Sequence, residues 1–85
     1  MLYLVESYLA PAGAHIEDID ARARIAVAEL VGEGAAIRFL RSILVPSDEM
    51  CVLHYDASSR DLAVEAARRA GLTSDRVVEM LEGPA

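Results

Sequence analysis

The chain has 85 residues and a mass of 9.2 kDa, which leaves room for one domain with a modest core. Eight arginines, no lysine and fourteen acidic residues give a net charge of −6, which argues against nucleic acid and anionic membranes as partners. The single cysteine permits no intrachain disulfide, and charges interrupt every apolar run. The first residues lack the basic segment of a signal peptide, so we expect a cytoplasmic protein.

The first half of the chain predicts a strand followed by a helix. Residues 2–9 are rich in Tyr, Leu and Val and end before Pro11 and Gly13, as a strand does. From Ile16 onward the apolar residues recur at steps of three and four, which is the spacing of one helical face. Its members are Ile16, Ile19, Ala23, Ala26, Val27 and Leu30. Gly32 and Gly34 predict the end of this helix.

The middle of the chain predicts a hairpin. Residues 36–45 and 50–55 read as two strands. The segment 46–49 between them is typical of a turn, because it begins with Pro46, a residue suited to the second position of a turn. Ser58 and Asp61 have the spacing of a capping box and predict a second helix, which Gly71 ends. Its inner stripe is mostly alanine, which lets it lie close to a sheet. Residues 76–81 predict a last short strand.

The element order is therefore β-α-β-β-α-β. Right-handed crossovers and a central hairpin favour an α+β fold of the ferredoxin-like type, in which both helices cover one face of a four-stranded antiparallel sheet. We expect a single domain over residues 1–85. An unrelated α+β arrangement is the open alternative.

The sheet face opposite the helices is too apolar for solvent. Because side chains alternate along a strand, both faces of the predicted sheet carry large apolar groups, and two helices cover only one face. The other face would expose Leu2, Leu4, Leu40, Leu44, Val52, Val78 and Met80. Packing of this face against the same face of a second chain is the simplest remedy, so we predict a sheet-to-sheet homodimer. The alternative is that some of these residues are singly exposed at sheet edges.

Polar residues fall on the same face and form a candidate ligand site. By alternation, this face also receives Glu6, Tyr8, Arg38, Ser42 and His54. Polar groups in an apolar cavity are typical of a small-ligand site, and their charges must be paired. We expect Glu6 to pair with Arg38, or with Arg41 if a β-bulge shifts the alternation. A structural ion pair at a dimer interface is the alternative.

His54 is the candidate metal ligand and the candidate base. Cys51 and His54 have a metal-like spacing, but residues three apart on a strand point to opposite faces. A metal site therefore needs His54 together with its mate at a symmetry axis. The competing hypotheses are a cofactor-independent oxygenase-like or isomerase-like enzyme, with His54 as base and Arg38 as oxyanion partner, and a purely structural or regulatory dimer.

Several segments of the chain resemble one known family. They are Leu4-Val5-Glu6, Arg38-Phe39-Leu40-Arg41-Ser42, Val45-Pro46-Ser47-Asp48-Glu49-Met50-Cys51, Ala70-Gly71-Leu72 and Asp75-Arg76. Together they are similar to a family of small bacterial domains labelled nickel-binding-protein-like and otherwise of unknown function. The resemblance implies a ferredoxin-like homodimer and offers nickel as a candidate metal. Where its metal-binding branch has a histidine near the first strand, this chain has Glu6-Ser7-Tyr8.

Taken together, these patterns predict a non-enzymatic homodimer that binds a small ligand or a transition metal at or near the interface between its two sheets.

Overall fold

The computed structural model describes residues 1–8 and 15–84, which form one sheet and two helices. The elements in chain order are β1 (Leu2–Ser7), α1 (Ile16–Gly32), β2 (Ile37–Val45), a 3-10 turn (Pro46–Asp48), β3 (Met50–Ala57), α2 (Arg60–Arg69) and β4 (Arg76–Met80). The strands are antiparallel in the order β2-β3-β1-β4. This arrangement confirms the predicted ferredoxin-like fold. The predicted strand end at Leu9 and the stop at Pro11 and Gly13 lie outside the described residues.

Both helices pack on the same side of the sheet and enclose the core. The inward side chains of β1 and β3 are almost fully buried there, with Val5, Leu53 and Tyr55 at the centre. From α1 the core receives Ile19 and Leu30 at the predicted helical spacing. The buried residues of α2 and its C-cap are all alanines, which allows the helix to approach the sheet closely, and Leu62 packs against the core partly buried. The alanines are Ala63, Ala66, Ala67 and Ala70. Neither α1 nor α2 has the length and apolar content that crossing a bilayer requires.

Strand β2 contains a bulge that alternation could not predict. Phe39 pairs with Tyr55, but Arg41 pairs with His54, so Leu40 is an extra residue between two consecutive pairs. Beyond the bulge the two faces of β2 are exchanged. Ser42 consequently faces α1, where its hydroxyl donates a hydrogen bond of 2.8 Å to Asp20 Oδ1. The prediction that Ser42 lies on the face without helices is therefore wrong.

The same bulge corrects the predicted apolar face. Leu44 packs against the core beneath the helices, whereas Ile43 and Val45 take the opposite side. Leu40 lies in the bulge itself, where its side chain is 38% exposed.

The second helix begins one residue later than the capping-box spacing predicts. Ser59, not Ser58, is the N-cap, and its hydroxyl accepts a hydrogen bond of 3.3 Å from the Leu62 amide. Ser58 is instead held by its backbone amide, which donates to the Ala36 carbonyl at 3.0 Å because β3 runs on to Ala57. The hairpin turn is a single 3-10 turn that ends at Glu49 in a left-handed conformation, with a φ of 50°.

Candidate functional site

The face of the sheet that carries no helix is here called the helix-free face. The strand register arranges its side chains in cross-strand rows. One row joins Arg38, Asp56, Leu2 and Met80; the next joins Arg41, His54, Leu4 and Val78; the third joins Ile43, Val52, Glu6 and Arg76. Val45 and Met50 extend the face beyond the third row. Most of the face is apolar; its arginines lie on the two outer strands, and its two carboxylates lie on the two inner strands.

Two ion pairs on this face differ from the predicted one. The Glu6 carboxylate accepts a hydrogen bond of 3.0 Å from the Arg76 guanidinium, while Arg38 donates to Asp56 at 2.9 Å. The predicted pair of Glu6 and Arg38 is wrong because β3 lies between their strands, so Glu6 reaches partners on β3 and β4 only. The N-terminal ammonium group lies 3.1 Å from the second oxygen of Asp56. Arg38 and this ammonium group hold the pKa of the Asp56 carboxyl below its ordinary value.

Tyr8 lies at the end of β1, beside the Glu6 carboxylate. Its side chain is 42% exposed, and its hydroxyl donates a long hydrogen bond of 3.5 Å to Glu6 Oε1. The Tyr8 amide donates to Asp75 Oδ2 at 2.7 Å, which ties the end of β1 to the segment before β4. Beside Tyr8 and Arg76, the Glu6 side chain is only 12% exposed.

Arg41 and His54 form a cross-strand pair in the middle row of the helix-free face. The bulge at Leu40 turns Arg41 onto this face and places it directly opposite His54 on the neighbouring strand. On its other side His54 faces Leu4. Burial, and secondarily the charge of Arg41, lower the pKa of His54 below its ordinary value of 6.5. Within the part of the chain that the structure describes, the Arg41 guanidinium has no carboxylate within 4 Å.

The enzyme hypothesis predicted the wrong arginine as the neighbour of its base, His54. Arg38 was the expected oxyanion partner of His54, but it lies in the neighbouring row and is bonded to Asp56. Arg41 occupies the position beside His54 instead. A groove of about 550 Å³ at the adjoining end of the sheet is lined by Arg38 and Asp56 but does not include His54.

The described residues of one chain do not assemble a transition-metal site on this face. Cys51 is fully buried on the helix side, and His54 points the other way, as the strand spacing predicts. Burial also raises the pKa of the Cys51 thiol, which disfavours the thiolate that a metal binds. No three His, Cys, Asp or Glu side chains of residues 1–8 and 15–84 come together as metal ligands.

Comparison with known proteins identifies the family. The family model described as nickel responsive protein SCO4226-like matches residues 3–80. The chain belongs to the SCO4226-like family. The crystal structure of SCO4226 from Streptomyces coelicolor A3(2) superposes with a TM-score of 0.76 at 14% identity and covers 99% of this chain and 100% of that one. At this identity the likeness shows the fold alone. Among curated proteins, no sequence matches this chain.

In this SCO4226-like chain, sequence reasoning did not assign three charged residues to the face: Arg41, Asp56 and Arg76. Asp56 lies one residue past the predicted end of β3, although continued alternation from His54 would have placed it there. Arg41 was anticipated only as a substitute in the event of a bulge, and the bulge is present. Three predicted site residues lie on the helix-free face: Glu6, Arg38 and His54. Tyr8 lies beside Glu6 just after β1, whereas Ser42 lies on the opposite face, beneath α1.

Proposed function

We propose that this protein is a homodimer whose two helix-free faces pack together and hold a small ligand between them. The observation that carries this proposal is the aliphatic centre of a face that no helix covers. Leu4, Val52 and Val78 occupy that centre, and Val52 is 8% exposed in the single chain.

The size of the face supports pairing between two copies. Four strands about 4.8 Å apart, each contributing about six residues at roughly 3.3 Å, cover about 400 Å² in projection. An area of about 400 Å² lies within the range of the largest apolar patches on monomers, which are often binding surfaces. Two-fold pairing covers it with the same surface from the second chain.

A transition metal is the second candidate for the bound species. The description of the matched family, nickel responsive, favours it, and His54 is the histidine on the face. The residues of one chain do not fit such an ion, because His54 lies between Leu4 and Arg41. A metal would therefore need donors from both protomers around the two-fold axis, with His54 and its mate as the first pair.

Oligomeric state is the first test, measured by sedimentation velocity on two matched variants. Leu4→Glu places a charge at the centre of the helix-free face, whereas Ile25→Glu places the same charge on the outer surface of α1, where Ile25 is 62% exposed. We expect the wild type and Ile25→Glu to sediment as dimers and Leu4→Glu as a monomer with an unchanged circular dichroism spectrum. A monomeric wild type, or a dimeric Leu4→Glu variant, would contradict this pairing.

The bound species is tested separately by native mass spectrometry. We expect the dimer to retain a small molecule, or to take up nickel when Ni²⁺ is added. His54→Ala distinguishes the two cases, because it should abolish stoichiometric nickel uptake. Nickel uptake that is the same in the wild type and in His54→Ala would remove His54 as a ligand.

A further inference from the structure

The helix-free face is positively charged on a strongly acidic chain. Three arginines and the N-terminal ammonium group share this face with two carboxylates, whereas the whole chain carries −6. Two of the arginines and the ammonium group are already engaged: Arg76 by Glu6, and both Arg38 and the ammonium by Asp56. Both carboxylates of the face are thereby paired. Among the described residues of the face, Arg41 is the cation that has no carboxylate partner.

Arg41 lies between an apolar and a charged part of the helix-free face, and it is exposed in the single chain. Its cross-strand neighbour is His54. Ile43 and Val52 flank this pair on one side, and the bonded pair of Arg38 and Asp56 flanks it on the other. A second sheet packed on this face would bury the Arg41 charge, and a buried charge without a partner is unfavourable by several kcal/mol. Two-fold pairing brings a second Arg41 to the same interface, which increases the need for a negative partner. Among residues 1–8 and 15–84 the face offers no further carboxylate, so a ligand from outside the chain would supply the missing negative charge.

We propose that the ligand between the two sheets is a small organic carboxylate, held by Arg41 and His54, with its apolar body on Leu4 and Val52. This inference rests on the proposed sheet-to-sheet dimer. The planar guanidinium group donates two parallel hydrogen bonds to a carboxylate, a geometry that a spherical anion does not use. Aliphatic neighbours favour a ligand with an apolar body over a fully hydrated inorganic ion.

The test is an NMR titration of the ¹⁵N-labelled full chain with benzoate, and with benzamide as the uncharged control. We expect benzoate to shift amide signals in β2 and β3 around Arg41 and His54, and benzamide to bind at least tenfold more weakly. Arg41→Gln should weaken benzoate binding by about tenfold to a hundredfold. Arg60→Gln, at the exposed start of α2, should leave it unchanged.

Equal binding of benzoate and benzamide, or full affinity in Arg41→Gln, would overturn the inference. Arg41-dependent binding of inorganic phosphate without binding of benzoate would overturn the carboxylate class. Sedimentation velocity on the same samples separates this inference from the proposed function. A dimeric wild type that does not bind benzoate would refute the carboxylate ligand alone. A monomeric wild type would refute both the sheet-to-sheet dimer and the carboxylate ligand.

Discussion

Replacing Tyr55 by phenylalanine should stabilise this protein, although Tyr55 lies at the centre of the core. The Tyr55 side chain has no exposed surface, and its hydroxyl has no hydrogen-bond partner among the residues that the structure describes. The ring packs edge-on against Phe39 at a centroid distance of 5.7 Å, a contact that the substitution retains. The variant Tyr55→Phe therefore removes an unpartnered polar atom and little else.

The expected change in the free energy of unfolding for Tyr55→Phe is the difference between two opposing effects. A buried hydroxyl without a partner costs about 1–3 kcal/mol. Its removal leaves a void of about 15 Å³, which at ~24 cal/mol per Å³ costs about 0.4 kcal/mol. Tyr55→Phe should therefore raise the free energy of unfolding by about 0.5–2.5 kcal/mol.

Ser7→Ala is the matched control because it removes a buried hydroxyl that is fully bonded. Ser7 is 2% exposed; its hydroxyl shares a hydrogen bond of 2.9 Å with Thr73 Oγ1 and accepts another of 3.1 Å from the Thr73 amide. Its loss should lower the free energy of unfolding by about 1–3 kcal/mol. The two hydroxyl deletions are thus expected to change stability in opposite directions.

The assay is urea unfolding followed by circular dichroism, at one protein concentration because a dimer makes the midpoint concentration-dependent.

The free energy of unfolding at alkaline pH is a second measurement. Burial raises the pKa of Tyr55 above its ordinary value of 10, so above this pH the unfolded chain loses a proton that the folded chain keeps. Wild-type stability then falls as the pH rises beyond about 10, and the advantage of Tyr55→Phe should grow. A variant that is destabilised by more than about 1 kcal/mol at pH 7 would refute the reasoning.

Three further substitutions test local features by the same unfolding assay. Ser59→Ala should cost about 1 kcal/mol because it removes the N-cap of α2, while Ser58→Ala should stay within about 0.5 kcal/mol; equal losses would contradict the observed cap. Gly71→Ala should cost about 1–2 kcal/mol because its φ is 78°. The added methyl group also meets the end of the Arg22 side chain, which is flexible, so adding Arg22→Ala should not restore the loss. Ala66→Leu should cost about 1–3 kcal/mol, since Ala66 has no free space against the sheet, and a neutral result would show a looser packing of α2.

The fold was predictable because its determinants are local. The stripe from Ile19 to Leu30 has helical spacing, the alanines of α2 match a helix that lies close to a sheet, and Pro46 punctuates the hairpin. Each of these signals involves residues within a few positions of one another. The alternation of β1 and β4 was also read correctly, because neither strand contains an irregularity in the observed pairing.

The candidate site was predicted less well because it depends on how strands pair. Charge and a shared sheet face predicted Arg38 as the partner of Glu6, or Arg41 in the event of a bulge, but strand order gives it Arg76. Ser42 was assigned to the helix-free face by unbroken alternation, and one extra residue at Leu40 moved it beneath α1. No residue type near the bulge identifies it in advance.

The sequence by itself determined the order of the elements and the start of each helix to within about one residue. It also showed that the strands carry more aliphatic residues than two helices can cover. Only the tertiary structure decided that Arg41 lies beside His54 and that the carboxylates of the face are paired elsewhere. Periodicity records the preferences of neighbours along the chain, whereas register, bulges and ion pairs arise from hydrogen bonding between distant strands.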